Sequence, residues 1–227
     1  MSARRRVLLL VCMLAQAGGP SHAQAPSAEA FEAAVQQARP LARSLGLSLH
    51  ADALWLAALR ARAPMLALRV GSACHLAYAA YTPGQDHGWL FPVLPAAQRQ
   101  AWLQGFVQHE LAHCALQSVP AGPHAAALSG ASADAADALA GVRHAERLAD
   151  LAFARHLDTA LPIEQADALI DRLAGLRAGR RALDPGHDTA AALDCHRRHP
   201  LRWRHDLPWR VHLQVLGEAC AGSAMSP

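Results

Sequence analysis

The chain lacks lysine altogether, so all 21 of its basic residues other than histidine are arginine. Aromatic residues make up only 5% of the 227 residues, and β-branched residues are scarce beside alanine and leucine. The arginines form no basic stripe with interleaved aromatics, so the sequence predicts no nucleic-acid partner. Alanine, leucine and arginine favour helix, which makes a mainly helical domain the first expectation.

The amino-terminal segment lacks the length of a membrane anchor. Arg4–Arg6 form a basic start, and Val7–Leu14 form an apolar stretch of about half the ~20 residues that span a bilayer. Small residues then occupy the −3 and −1 positions before residue 24, which is typical of a secretory signal peptide. We therefore predict a cleaved signal peptide over residues 1–23 and a single domain over residues 24–227. That domain is expected in the periplasm or outside the cell, with no stable membrane span.

Strand signals are also rare and concentrate in one hairpin. Residues 65–70 and 75–81 are predicted as two short strands joined at Gly71 and Ser72. No internal repeat or linker divides the chain, and residues 83–95 are predicted as a loop rich in proline, glycine and aromatics. Helices are predicted over residues 24–48 with a break at Pro40, over 50–62, 96–119, 132–156 and 163–178, and over two short segments after Asp184.

The segment Phe106–His113 contains the pattern H-E-x-x-H within a predicted helix. Residues four apart share a helix face, so His109 and His113 can reach one metal ion. Glu110 is not itself a ligand, and it can accept a proton from a water molecule whose pKa zinc lowers towards ~7. The 14 histidines of the chain leave a histidine-rich surface helix as the alternative, which the apolar neighbours of the motif disfavour.

A third ligand is expected downstream, because a catalytic zinc usually has three protein ligands and one position for water. Glu146 and Asp150 lie four apart on the next long predicted helix. We predict Glu146 as the third ligand of one Zn²⁺ per chain, with Asp150 accepting a hydrogen bond from a ligand histidine. His144 is the alternative ligand, but it would point away from Glu146 and brings no such partner.

Four cysteines remain after the signal peptide, and an even number in an exported chain predicts two disulfides. The sequence leaves three pairings open. Proximity along the chain favours Cys74–Cys114 and Cys195–Cys220. A zinc role for Cys114 is disfavoured, because it follows His113 directly and points elsewhere on the helix.

Two segments together resemble the gluzincin metallopeptidases, namely HELAH at His109–His113 and ERLAD at Glu146–Asp150. The signature of that family is H-E-x-x-H followed by a helix with E-x-x-x-D. The E-x-x-A-D form is most similar to the HtpX-like group, which often has a later His-Pro followed by arginine, as at His199-Pro200 here. The resemblance covers roughly residues 70–205. It implies a zincin-like α+β fold, mainly α, in which a small β-sheet precedes the active-site helix and the second helix crosses that helix at the metal. It also implies a substrate held along an edge strand.

Several residues are candidates to stabilise the oxyanion that forms when a carbonyl is attacked. His199 is preferred because of the His-Pro resemblance, and we assign it a catalytic role beside Glu110. The strand over residues 74–82 is expected to bind an extended peptide by main-chain pairing. The full set of oxyanion candidates is Tyr78, Tyr81, His187, His199 and Arg204.

These features together predict an exported zinc metallopeptidase, a hydrolase that cleaves peptide or protein substrates by Glu110-assisted attack of zinc-bound water. Two alternatives stay open: a non-catalytic zinc-binding scaffold of the same fold, and a zinc amidase acting on cell-wall peptides. Glu110 favours an enzyme, because a scaffold has no use for the base. The sequence does not discriminate between a peptidase and an amidase.

Overall fold

Helices dominate the residues that the computed structural model describes, which are 26–52, 65–78, 90–116 and 135–221. The predicted signal peptide and the candidate Tyr81 lie outside the described residues. The strands are β1 Ser48–Ala51, β2 Met65–Val70 and β3 Ala73–Tyr78. The helices are α1 Ala28–Ser44, α2 Ala96–Leu116, α3 Ala135–Ala160, α4 Ile163–Arg180, α5 Ala190–Arg198 and α6 Trp209–Ala219.

The sheet has the order β1-β3-β2. The predicted hairpin is confirmed: β2 and β3 are antiparallel, with Met65 opposite Tyr78, and Gly71 adopts a φ of 59° in the turn between them. β1 runs parallel to β3, with Ser48 opposite Ala73. Because β3 is the central strand, the prediction that it offers an edge to a peptide is wrong for its paired residues.

β1 occupies residues that were predicted to begin a helix at His50. Leu47 and Leu49 are buried, whereas Ser48 and His50 are exposed. This alternation has the period of a strand with one covered face, which places the leucines in the core. The remainder of that predicted helix, residues 53–62, lies outside the described residues.

α1 continues through Pro40, so the predicted break at that residue is wrong. The Ser27 side chain accepts a hydrogen bond from the backbone N–H of Ala30 and caps the first turn. Pro40 and Gln36 both lie on the exposed face, where water can bond the carbonyl that proline leaves without a donor. The buried Ala42 on the other face holds the last turn against the core.

α2 and α3 cross closely at Gly105. A Cβ atom built at Gly105 would lie 2.7 Å from Cδ2 of Phe153, so only glycine fits at this distance. The Phe153 ring packs edge-to-face against Trp102 and Phe106, with ring centroids 5.0 and 4.8 Å apart. This aromatic cluster lies one turn before His109 and fixes how α3 approaches the metal-ligand motif.

The remaining helix predictions agree with the structure. α2, α3 and α4 begin and end within a few residues of the predicted bounds, and α5 and α6 are the two short helices expected after Asp184. Proline at the N-cap of α4 marks the predicted break after α3. In the described part of the chain, no helix combines the length and apolar character needed to cross a membrane.

Both favoured disulfides are confirmed. The Cα atoms lie 5.8 Å apart in Cys74–Cys114 and 5.7 Å apart in Cys195–Cys220. The first bond joins β3 to the carboxyl end of α2, directly after His113. The second joins α5 to the residue that ends α6. Because its sulfur is bonded to Cys74, Cys114 is excluded as a metal ligand.

Candidate metal centre

His109 and His113 lie on the face of α2 that meets α3. Their Nε2 atoms are 3.2 Å apart, as the i, i+4 spacing predicts. Glu146 on α3 approaches both rings: Oε2 lies 3.5 Å from Nε2 of His109, and Oε1 lies 3.3 Å from Nε2 of His113. One donor atom from each of the three residues falls within 4.8 Å of the others. The group could therefore hold a metal ion.

Two of the three donors are buried, since His109 and Glu146 are 4% and 7% exposed. Oε2 of Glu146 forms no well-aligned hydrogen bond, although Nε2 of His187 lies 3.1 Å away. A buried carboxylate is costly unless a cation or hydrogen-bond donors compensate its charge. The group could therefore hold a cation at a position largely removed from solvent.

Asp150 lies behind His109, on the side away from the other donors. Its Oδ1 is 2.9 Å from Nδ1 of His109. The two atoms are close, but the N–H bond of Nδ1 does not point at the oxygen as it would in a well-formed hydrogen bond. Arg177 on α4 donates from Nε to Oδ2 at 2.8 Å and from Nη2 to Oδ1 at 2.7 Å. The Thr189 hydroxyl also donates to Oδ2. Asp150 is completely buried, and these three neighbours replace its hydration.

Electrostatic attraction within the group shifts the pKa values of these residues more than burial does. Burial would raise the pKa of Asp150, but Arg177 and His109 bring it below its usual range. Burial would lower the pKa of His109, but Asp150 and Glu146 raise it to about 10. Burial would raise the pKa of Glu146, but it is lowered by three nearby histidines, His109, His113 and His187. A proton and a metal ion compete for Nε2 of His109, so acidification opposes metal binding.

Glu110 is the next residue along α2 and is not among the three converging donors. It is buried, 8% exposed, and it forms no hydrogen bond or ion pair with the described residues. A buried carboxylate without such a partner could accept a proton from a nearby group. The role that the H-E-x-x-H pattern predicts for Glu110 stays a prediction.

His187 is a further histidine that lies against Glu146. It ends the short 3-10 turn Pro185–His187 between α4 and α5, and its Nε2 lies 3.1 Å from Oε2 of Glu146. Its Nδ1 lies 2.8 Å from Asp184, and its side chain is 35% exposed. His187 is one of the five residues that the sequence offers to stabilise an oxyanion. The Asp184–His187 spacing across a Pro-Gly turn was the available signal.

The other candidates lie elsewhere. His144 is exposed on α3, and it is Glu146 that reaches the two histidines. Nδ1 of His199 accepts a hydrogen bond from the N–H of Leu201, and within the described residues no bond joins His199 to the donors. Tyr78 is buried and donates to the carbonyl of Pro26. The exposed Arg204 pairs with Asp206.

Arg177 and Thr189 were absent from the sequence-based site. Both contact Asp150 from segments that follow α3, and neither belongs to a recognisable motif. In comparisons with known proteins, no family model, curated protein or solved structure matches this chain.

Proposed function

We propose that the chain is a zinc metallopeptidase of the gluzincin type, with one zinc ion held by His109, His113 and Glu146. The observation that carries the proposal is the convergence of these three donors, with Asp150 behind one of them and the unpaired Glu110 beside them. Two histidines and one carboxylate form a catalytic type of zinc site, because they leave a fourth position open.

The separations of the donors suit a small cation such as zinc. Ligand atoms about 2.0–2.2 Å from a tetrahedral zinc ion lie about 3.3–3.6 Å from each other. The two Nε2 atoms are 3.2 Å apart, Oε2 of Glu146 lies 3.5 Å from His109, and Oε1 lies 3.3 Å from His113. One oxygen of Glu146 would have to approach both rings to complete such a donor set.

The protein groups divide the chemistry between them. When bound, zinc supplies a Lewis acid that polarises a carbonyl and lowers the pKa of water. Glu110 accepts the proton of the attacking water and passes it to the leaving amine. His187, rather than the predicted His199, donates to the oxygen that gains charge, because it borders Glu146 and is partly exposed.

A peptide substrate would pair with a sheet edge other than β3. Within the described residues β2 has one neighbouring strand, and it packs against α2. Arg69 on β2 donates to the carbonyl of Cys114, one residue after His113. We propose that the free edge of β2 holds an extended peptide beside the metal. The two disulfides favour an oxidising compartment, and we place the enzyme in the periplasm or outside the cell.

The test is cleavage of a mixed peptide library by the zinc-loaded mature chain and its Glu110→Gln variant. Glutamine keeps the shape of the side chain but cannot accept the proton. We expect the substitution to lower the rate by about 10²–10⁴ with zinc content unchanged. Glu218→Gln, which changes an exposed carboxylate on α6, serves as the matched control and should keep full activity.

Equal cleavage by the wild type and Glu110→Gln would remove Glu110 from the mechanism. If both proteins bind one zinc per chain and neither cleaves any peptide, the metal site stands without general peptidase activity. Digestion of isolated cell-wall peptides would then separate an amidase from a non-catalytic scaffold.

A further inference from the structure

We propose that Arg177 is a positioning residue that sets how tightly the centre holds zinc, by fixing the Asp150 carboxylate against His109. The inference rests on the proposed zinc site. Arg177 touches none of the three donors, and it would act only through Asp150.

Arg177 binds Asp150 with both arms of its guanidinium. Nε donates to Oδ2 at 2.8 Å and Nη2 donates to Oδ1 at 2.7 Å, and the Arg177 side chain is only 12% exposed. A planar fork that bonds both oxygens fixes the plane of the carboxylate as well as its position. The Thr189 hydroxyl donates a further hydrogen bond to Oδ2 and so restricts rotation of the carboxylate.

The fixed carboxylate in turn orients His109. Oδ1, which Arg177 holds, is the atom that lies 2.9 Å from Nδ1 of His109. A proton on Nδ1, facing this oxygen, would leave the lone pair of Nε2 directed towards His113 and Glu146. Loss of the fork would let the carboxylate turn, and both the ring orientation and the tautomer of His109 would become less defined.

Charge supports the same role. Glu110, Glu146 and Asp150 are all buried in one small region. In the described part of the chain, Arg177 is the only guanidinium bonded to any of them. Burial would lower the pKa of Arg177, but the three carboxylates raise it. A permanent positive charge therefore remains beside Asp150.

A second fork on the same helix provides an internal control. Asp158 lies two turns after Asp150 on α3 and binds the guanidinium of Arg202, which is 1% exposed. Nε2 of His196 lies 2.8 Å from Asp158, so this network also combines arginine, aspartate and histidine. It includes none of the converging metal donors. Its disruption should therefore affect folding without affecting zinc directly.

The experiment measures zinc affinity by competition with a chromophoric chelator, and urea unfolding, for the wild type, Arg177→Met, Arg177→Lys and Arg202→Met. We expect Arg177→Met to weaken zinc binding about 10- to 100-fold, the range seen when partners of metal ligands are removed. Arg177→Lys keeps the charge but loses the fork, so its affinity should fall between those of Arg177→Met and the wild type. Arg202→Met should unfold at lower urea and bind zinc as the wild type does.

The outcomes separate this inference from the function on which it rests. Unchanged zinc affinity in Arg177→Met and Arg177→Lys would overturn the positioning role alone. An equal loss of affinity in Arg202→Met would also overturn it, because the effect would then follow general stability. If Arg177→Met does not fold, the zinc affinity of Arg177→Lys is the test, and an unchanged affinity would overturn the positioning role. A wild-type chain that binds no zinc would overturn the proposed metal site itself.

Discussion

At the residue scale, the two ring nitrogens of His109 face opposite requirements. Nε2 lies among His113 and Glu146, where a metal ion would need its lone pair. Nδ1 lies against Asp150, which favours a proton on that atom. With a metal ion on Nε2, we expect the buried carboxylate to favour the tautomer that carries its proton on Nδ1.

His156 provides a prediction at this scale. The Nε2 of Gln108 donates to Nδ1 of His156 at 2.9 Å, and Nε2 of His156 is buried without a hydrogen bond. Burial lowers the pKa of His156 from 6.5 to about 4, so the unfolded chain binds its proton first as pH falls. The free energy of unfolding should therefore decrease between pH 6.5 and 4, by at most about 3 kcal/mol from this residue.

The measurement is urea unfolding at several pH values for the wild type and His156→Gln. Glutamine keeps an oxygen acceptor for Gln108 and cannot be protonated. The variant should lose less stability than the wild type on acidification, whereas at pH 7 and above the difference in stability between the two proteins should stay constant. Parallel pH profiles for the two proteins would show that His156 does not titrate as described.

The grouping of His109, His113 and Glu146 could be predicted, because the spacing that signals it lies within single helices. His109 and His113 are one turn apart, and so are Glu146 and Asp150. His187 and Arg177 could not be singled out, because their positions depend on how the chain folds back after α3. His199 was chosen from a resemblance, and in the structure its bond to Leu201 begins a 3-10 turn.

At the scale of elements, the crossing of α2 and α3 controls the centre. The two helices carry all three metal donors, and Gly105 lets them approach closely against Phe153. A larger residue at the crossing would separate the helices and move Glu146 away from the histidines.

Gly105→Ala should therefore destabilise the fold by about 1–3 kcal/mol, the usual effect of overpacking. Zinc affinity should fall as well, because the donors lie on both helices. Gly175→Ala on α4 is the matched control, since a Cβ there meets nothing within 4 Å. That control should gain about 0.5–1 kcal/mol, as alanine favours helix over glycine. Urea unfolding and zinc competition measure both quantities, and a neutral Gly105→Ala would refute the close crossing.

Elements with strong local signals were predicted well. Gly71 supports the hairpin turn, and the helices from α2 onwards follow their periodic patterns. β1 was missed because two alternating leucines are a weak signal beside a predicted helix. The effect of Pro40 was overestimated, because the carbonyl freed by a proline on an exposed face can bond water.

At the scale of the whole molecule, the two disulfides connect separate elements. Cys74–Cys114 joins the sheet to α2, which carries His109 and His113, and Cys195–Cys220 joins the last two helices. Both pairings were predicted from proximity along the chain, since each closes a loop of 40 or 25 residues. Such bonds are typical of an oxidising compartment, which agrees with the export predicted from the first 23 residues.

The most direct measurement of the central claim is the zinc content of the folded mature chain after loading and desalting, by plasma mass spectrometry. We expect one zinc per chain in the wild type and in His144→Ala, and loss of bound zinc in Glu146→Ala. A wild type without zinc would contradict the claim. The claim would also be contradicted if Glu146→Ala kept the zinc ion and His144→Ala lost it.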